Sequence, residues 1–467
     1  MPTFAPAQLA TWTGGRWTAQ PAAVLAGFTM DTRHLSAGQV FVALKTEKRD
    51  GHEFLPTAQA AGASAAIVAV ANPALTLPQL VVADPLAAFQ AIARENRRAF
   101  KGPVIGISGS AGKTSTKNLL ALLLGGEAGG VLATEGNLNN HLGVPLTLTR
   151  LDPATHKFAV IEAGISGPGE MKPLADMIEP DLALITLVAA AHTAELGGLE
   201  GVAREKAVLP AAIRPRGVAL FPKQCTQFAA FRDMFVNQLV LERSTVLRPA
   251  TQPRHTIHFN VLQRTTETVI VIAYGPPPPA MFKLPRMTDG MAQNAALALT
   301  AAIHLGLSPT VLQGRLARWK PAPLRGEIRQ DDGRLLYLDC YNANPASMAD
   351  ALGLFHAIAP AGEPRLYLIG CMEELGPDSA SHHHALGRSL NLRETDRLLV
   401  IGTQASDVCA GVLAQGDFTR QIQIASSLET IAGAFADWHG TVFVKGSRRY
   451  QLEKALTGAV APEAAHA

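Results

Sequence analysis

Residues 104–124 read Val-Ile-Gly-Ile-Ser-Gly-Ser-Ala-Gly-Lys-Thr-Ser-Thr-Lys-Asn-Leu-Leu-Ala-Leu-Leu-Leu. A buried-type apolar run stops at a Gly/Ser turn, Gly-Lys-Thr follows, and a leucine-rich helix is expected over 117–124. A strand delivered into a glycine loop at the start of a helix is the phosphate cradle of α/β nucleotide-binding proteins. Gly109 and Gly112 let the backbone N–H groups of the loop, through Ser110, Ala111 and Ser115, approach phosphate oxygens. Lys113 neutralises the β/γ charge, and the Thr114 hydroxyl suits Mg²⁺. Ile107 stands where the longer motif has Gly, so the match is to the shorter GxxGK[ST] form. The competing assignment is a Gly-rich strand-to-helix turn with a solvated lysine.

The rest of the chain repeats that alternation. Short apolar runs at 66–70, 80–82, 104–107, 158–162, 182–186, 335–339, 366–369, 398–401 and 442–444 read as strands, many followed by helix-like segments. This pattern predicts parallel α/β architecture. The length, 467 residues, suggests about three domains. Breaks at the charged helix end 94–102 and at Lys320-Pro321-Ala322-Pro323 place them at 1–100, 101–321 and 322–467. Gly275 and the four prolines after it read as a loop inside a domain, and 224–282 has too weak a periodicity to assign elements. Hydrophobic residues at 48% and charged residues at 17% exclude disorder as the main state. Lys+Arg of 41 against Asp+Glu of 38 gives no nucleic-acid footprint. Cys225, Cys340, Cys371 and Cys409 are far apart with no CxxC, and read as core fillers. No apolar stretch reaches about 18 residues, and residues 1–20 lack the basic start and apolar run of a signal peptide. A soluble cytoplasmic protein without membrane insertion is expected.

Downstream stand Thr134-Glu135-Gly136-Asn137-Leu138-Asn139-Asn140 and Gly143-Val144-Pro145-Leu146-Thr147. Then come Glu162-Ala163-Gly164, Gly167-Pro168-Gly169-Glu170-Met171, Ala191-His192 and Lys206. The last third carries Leu324-Arg325-Gly326-Glu327, Asp339-Cys340-Tyr341-Asn342-Ala343-Asn344-Pro345, Met372-Glu373-Glu374-Leu375-Gly376 and Lys445-Gly446-Ser447-Arg448. The first hundred residues add Asp31-Thr32-Arg33, Phe41-Val42-Ala43-Leu44 and Asp50-Gly51-His52. In this order, over nearly the whole chain, the set resembles the Mur ligases, ATP-dependent amide-bond ligases of peptidoglycan precursor synthesis. The Tyr-Asn-Ala-Asn-Pro and Glu-Leu-Gly segments look like the branch that adds D-alanyl-D-alanine to UDP-MurNAc-tripeptide. The resemblance implies an α/β protein of three domains: one for the UDP-substrate, a central P-loop ATPase domain, and a C-terminal Rossmann-like domain that closes over the nucleotide.

It also implies roles. ATP and Mg²⁺ are the expected cofactors, with a monomer as the expected state. Glu162, at a strand end where open α/β sheets bind ligands, is an expected magnesium ligand beside Thr114. His192 is expected near a second Mg²⁺. Lys206 matches a lysine that carries a carbamate, which its burial would favour by easing loss of the proton. Asn294 is expected at the adenine, Arg325 near phosphate and Asp339 at the ribose. Asn342, Asn344 and Lys445 are expected at substrate, as are Asn137, Asn139 and Asn140. Asp31, Thr32 and Arg33 are expected on the uridine side. Each has an ordinary competitor: a strand-end ion pair, a loop His, a helix-surface lysine, an Asx turn. His382-His383-His384 has no metal partner at sensible spacing and reads as a surface or helix-start tract. Leu187, Val208, Gly290, Leu338 and Cys371 depart from the family pattern. A related ligase with another acid and amine, or a non-catalytic nucleotide-binding paralogue, are the alternatives.

Overall fold

The computed structural model describes residues 2–21, 24–247, 255–275 and 277–456. Three main sheets follow one another along the chain. The first is five-stranded, with Gln79–Val81, Ala65–Val68, Val40–Val42 and Phe28–Thr29 parallel and the short Arg16–Trp17 antiparallel at one edge. The second, nine-stranded sheet has Val104–Ser108 between Phe158–Glu162 and Leu182–Ile185, all parallel. The third is six-stranded: Arg334–Asp339, Thr441–Lys445, Arg365–Gly370, Arg397–Ile401 and Ile422–Ile424 are parallel, and Glu327–Asp331 is an antiparallel edge.

The strand leading into the phosphate loop is buried along its whole length. Ile105 and Ile107 join the apolar layer that contains Leu119, Leu120 and Leu123. Val104 joins the opposite layer with Ile161 and Ile185. Helices cover both faces, so the strand is apolar without alternation, which is why it stands out in the sequence. The helix behind it starts at Lys113, one turn earlier than the leucines alone suggest, and runs to Leu124. Gly112 at its N-cap is left-handed at φ 77°.

Several expectations are corrected. The strand expected over 66–70 ends at Val68, and Val70 is exposed. The 224–282 region extends the central sheet: Gln238–Arg243 and His255–Gln263 continue it in parallel, then Glu267–Ile272 and Ala280–Pro285 turn antiparallel. Residues 248–254 of that stretch lie outside the described residues, as do Pro276 in the expected proline loop and residues 457–467 at the end. That loop joins the two antiparallel strands within one sheet. The helix Pro85–Ala99 ends where a charged terminus is expected, yet Arg97 is fully buried. Its guanidinium donates to Ile178 O (2.8 Å), Glu179 O (2.7 Å) and Asp181 Oδ2 (2.8 Å). Beside it Asn96 donates to Leu148 O and Leu151 O, both at 2.8 Å. The first sheet's last helix is thus bonded into the central unit. His383 is also buried: on the helix Ser379–Ser389 its Nε2 accepts from Met372 N (2.9 Å). All four cysteines are buried and free. Leu338 and Cys371 fill core positions, so these two departures serve packing.

Candidate active site

The loop at 109–112 is held from behind by backbone. Ser110 N donates to Leu187 O (2.9 Å). Ser110 Oγ donates to Ala189 O and accepts from Ala189 N, both at 2.9 Å. Thr186 Oγ1 donates to Ala111 O (2.6 Å). Position 187 contributes its backbone carbonyl here, a contact that does not depend on its side chain. A Cβ on Gly109 would lie 1.9 Å from Thr186 Oγ1, and one on Gly112 would lie 2.0 Å from Asn294 Nδ2. Both glycines are therefore required by space as well as by their positive φ. Lys113 Nζ donates to Gly109 O (2.9 Å). Burial pulls its ammonium below the ordinary lysine range, with Glu162 opposing and Arg325 adding to the fall.

Glu162 ends its strand beside this loop. Its Oε1 accepts from Thr114 Oγ1 (3.1 Å) and Asn139 Nδ2 (2.8 Å), while its buried Oε2 has no hydrogen-bond partner. A hydroxyl and a half-satisfied carboxylate at a phosphate loop fit Mg²⁺, which takes one or two protein oxygens and completes its shell with water and substrate phosphate. Among the described residues no group of three His, Cys, Asp or Glu is placed to hold a metal ion. Lys117, one turn beyond Lys113, donates to Thr134 O (2.5 Å), and Thr134 Oγ1 accepts from Glu162 N (2.9 Å). Lys117 and Thr134 thus tie the phosphate-loop helix, the Glu162 strand and the Asn-rich loop together. Neither was expected, although the spacing from Lys113 to Lys117 is a helical repeat.

His192 adopts φ 55° at the start of the short helix Thr193–Leu196, with its Nδ1 against the Glu374 carboxylate. Burial lowers its pKa, Glu374 opposes, and the charges of Lys113 and Lys206 lower it further. Lys206, on the helix Leu199–Ala211, is buried rather than on the helix surface. Burial, then the charge of Lys113, drives its pKa well below the ordinary value, with Glu205 opposing.

The third sheet faces this array across a cavity of about 880 Å³. Asp339 Oδ2 accepts from Lys445 Nζ (2.5 Å), which also donates to Asn342 O (3.2 Å). Lys445 is thus held against Asp339 at the cavity wall. Burial raises the Asp339 pKa, with Lys445 and Arg325 opposing. The Arg325 guanidinium lies 3.8 Å from the centre of the Tyr341 ring. Asn342 Oδ1 accepts from Ala343 N (2.9 Å). Asn344 caps the helix Pro345–Ile358 by accepting from Ser347 N (2.9 Å), and its Nδ2 reaches back to Ser110 O (3.2 Å). A Pro after this cap is the normal first residue of a helix.

Of the expected residues, 110–115, Asn137, Asn139, Asn140, Glu162, His192, Asn294, Arg325, Asp339, Asn342, Asn344 and Lys445 all line this one cavity. Gly109 packs beneath it and Lys206 is enclosed. Asp31, Thr32 and Arg33 are not on it. They form a separate turn in which Asp31 accepts from Arg33 N (3.0 Å) and Nε (2.9 Å), and the Arg33 guanidinium holds the Asp31 carboxyl down at about 2.

Fold and site together define a P-loop nucleotide-binding protein whose phosphate loop is faced by a second, Rossmann-like sheet. Family models describe the same three parts: "Mur ligase family, catalytic domain" over residues 25–97, "Mur ligase middle domain" over 107–302 and "Mur ligase, glutamate ligase domain" over 324–448. The UDP-N-acetylmuramoyl-tripeptide--D-alanyl-D-alanine ligase of Escherichia coli K12 is 31% identical over 436 residues, 92% of each chain. The Bacillus subtilis enzyme of the same name is 30% identical, covering 84% of this chain and 83% of its own. Among solved structures, MurF from Acinetobacter baumannii superposes with a TM-score of 0.86 at 28% identity over 98% of both chains. The chain belongs to the Mur ligase family. Among the described residues no helix is long and apolar enough to cross a membrane.

Proposed function

We propose that the protein is an ATP-dependent, ADP-forming ligase that joins D-alanyl-D-alanine to UDP-MurNAc-tripeptide in cytoplasmic peptidoglycan precursor synthesis. The observation that carries this reading is the cavity with a phosphate loop on one side and Arg325 and Asp339 on the other, in a chain that matches ligases of that name over 92% and 84% of its length. The functional units are residues 1–100, 101–321 and 322–467, acting as a monomer without nucleic-acid or membrane partners.

In this mechanism Lys113 and the N-terminal N–H groups of the Lys113–Leu124 helix bind the phosphates of ATP. Asn294 reads the adenine, Asp339 the ribose, and Arg325 lies toward phosphate. Asn137, Asn139 and Asn140 orient the UDP-linked peptide, whose uridine end meets Asp31, Thr32 and Arg33. Asn342, Asn344 and Lys445 serve the substrate side of the third sheet. The peptide carboxylate attacks the γ-phosphorus and ADP leaves. The amine of D-alanyl-D-alanine then attacks the acyl carbon, phosphate leaves, and a proton is lost from nitrogen. Thr114 and Glu162 would hold one Mg²⁺, with His192 and a carbamylated Lys206 at a second; when bound, the metal supplies charge neutralisation at the crowded phosphate oxygens. The protein's part is placement and electrostatics, the usual economy of phosphoryl transfer.

The test is ADP release with defined acids and amines. Turnover should require both UDP-MurNAc-tripeptide and D-alanyl-D-alanine. Turnover with meso-diaminopimelate, or with glutamate and a folate, would assign another branch, and no turnover with any pair would leave a nucleotide-binding paralogue.

Domain closure is a second expected result. The two halves already touch: Thr193 Oγ1 donates to Leu375 O (3.2 Å), and Ala194 Cα lies 3.0 Å from where a Cβ on Gly376 would stand. A ligand bound between domains favours the state in which both reach it. Solution scattering should show compaction when an ATP analogue and both substrates are added. Unchanged dimensions at saturation would mean a site that is assembled beforehand.

A further inference from the structure

The helix Asp289–His304 begins at Thr288, whose Oγ1 accepts from Met291 N (3.0 Å). Gly290 N, in its first turn, donates to Asp350 Oδ1 (2.9 Å). Asp350 belongs to the helix Pro345–Ile358 of the third sheet's unit. A carboxylate from one unit therefore caps a helix of another, where the open N–H groups and the helix dipole favour negative charge. Gly290 makes this possible. A Cβ there would lie 2.4 Å from Asp350 Oδ2 and 3.0 Å from its Cγ. Its φ is not positive, so the glycine supplies room and no unusual conformation.

One turn on from Gly290 is Asn294, packed against Gly112 of the phosphate loop, with its Oδ1 buried and unpartnered. At the other end of the contact, the cap of the Pro345–Ile358 helix bonds Ser110 O through Asn344 Nδ2 (3.2 Å). This one helix thus grips the central unit both at the phosphate loop and at the helix that carries Asn294. We infer that Asp350 is a positioning residue: through Gly290 it registers the Asp289–His304 helix, and Asn294 with it, against the phosphate loop, coupling the seating of the C-terminal unit to nucleotide affinity. The coupling is reciprocal, so whatever loosens the clasp weakens nucleotide binding. The inference rests on the nucleotide site proposed above and is independent of which acid and amine are joined.

The test is equilibrium binding of a non-hydrolysable ATP analogue with Mg²⁺ to the full chain, with neither acid nor amine present. Binding by the wild type that is lost in Lys113→Ala establishes the site; absence of that pattern counts against the proposed function rather than the clasp. Asp350→Ala and Gly290→Ala should each weaken binding about tenfold, the scale of a hydrogen bond to a charged group. Asp350→Asn should keep most of the affinity, because its amide oxygen still accepts from Gly290 N. The double variant Gly290→Ala/Asp350→Ala should bind no more weakly than either single one, since both remove one contact. Wild-type affinity in Asp350→Ala, an Asn variant as weak as the Ala variant, or additive losses would overturn the inference. Should Asp350→Ala fail to fold, Gly290→Ala decides alone, because alanine improves helix propensity. Weakened binding with an unchanged or raised Tm is then expected, and unchanged binding overturns the inference.

Discussion

Lys113→Ala is expected to lower ATP-dependent ligation by at least about two decades, the scale of removing an electrostatic stabiliser worth about 3 kcal/mol, while the fold survives. The side chain has one hydrogen bond, to Gly109 O of its own loop (2.9 Å), so its removal opens no large hole. Burial already pulls its pKa down, opposed chiefly by Glu162. An incoming triphosphate would supply the negative charge that holds this ammonium protonated, so the cation does its work when nucleotide is bound. The check is ADP release together with thermal unfolding. Loss of turnover with a Tm near wild type supports the phosphate-loop assignment; wild-type turnover would sink it.

What could be read from the residues was whatever local chemistry determines. Phe158–Glu162 occupies the expected five positions because each residue from Ala159 on is buried, and a doubly covered strand leaves a continuous apolar run. The phosphate loop was legible because glycine spacing and lysine position are set by the loop alone. The strands His255–Gln263, Glu267–Ile272 and Ala280–Pro285 were not, because antiparallel pairing near a sheet edge leaves Leu262 and Met281 exposed and breaks the apolar pattern. Arg97 and His383 looked like surface residues since nothing local shows that Ile178 O or Met372 N will need a donor or acceptor there. The Gly290–Asp350 contact spans 60 residues. The sequence shows the missing side chain at 290 but not the carboxylate that fills its place. Likewise the cavity unites Thr114 with Arg325, whereas Asp31 lies off it, and only the packing of the sheets decides that.

Lys206→Ala is expected to lose most activity, and a short carboxylic acid such as acetate or formate should restore part of it. The lysine is buried on the Leu199–Ala211 helix, where burial and the neighbouring charge of Lys113 both favour its neutral amine. A neutral amine adds CO₂ to form a carbamate and releases a proton, which turns a would-be cation into an anion beside the proposed metal site. The burial supplies the physical reason for the exchange: an enclosed ammonium next to a second ammonium is costly, whereas an enclosed anion would be paired by the Lys113 charge and could hold a metal ion. Alanine removes the anion and leaves space that a free carboxylate can enter. Lys206→Arg should stay inactive with or without added acid, since guanidinium keeps the positive charge and is not carbamylated. The neutral amine is consumed in the reaction, so lowering the pH through the depressed pKa of Lys206 should reduce carbamate occupancy and activity together. Steady-state ADP release across pH, with and without formate, measures all three effects. A Lys206→Ala enzyme nearly as active as wild type, with unchanged Mg²⁺ dependence, would leave Lys206 a buried helix residue and assign the second metal position to His192, Glu162 and substrate phosphate.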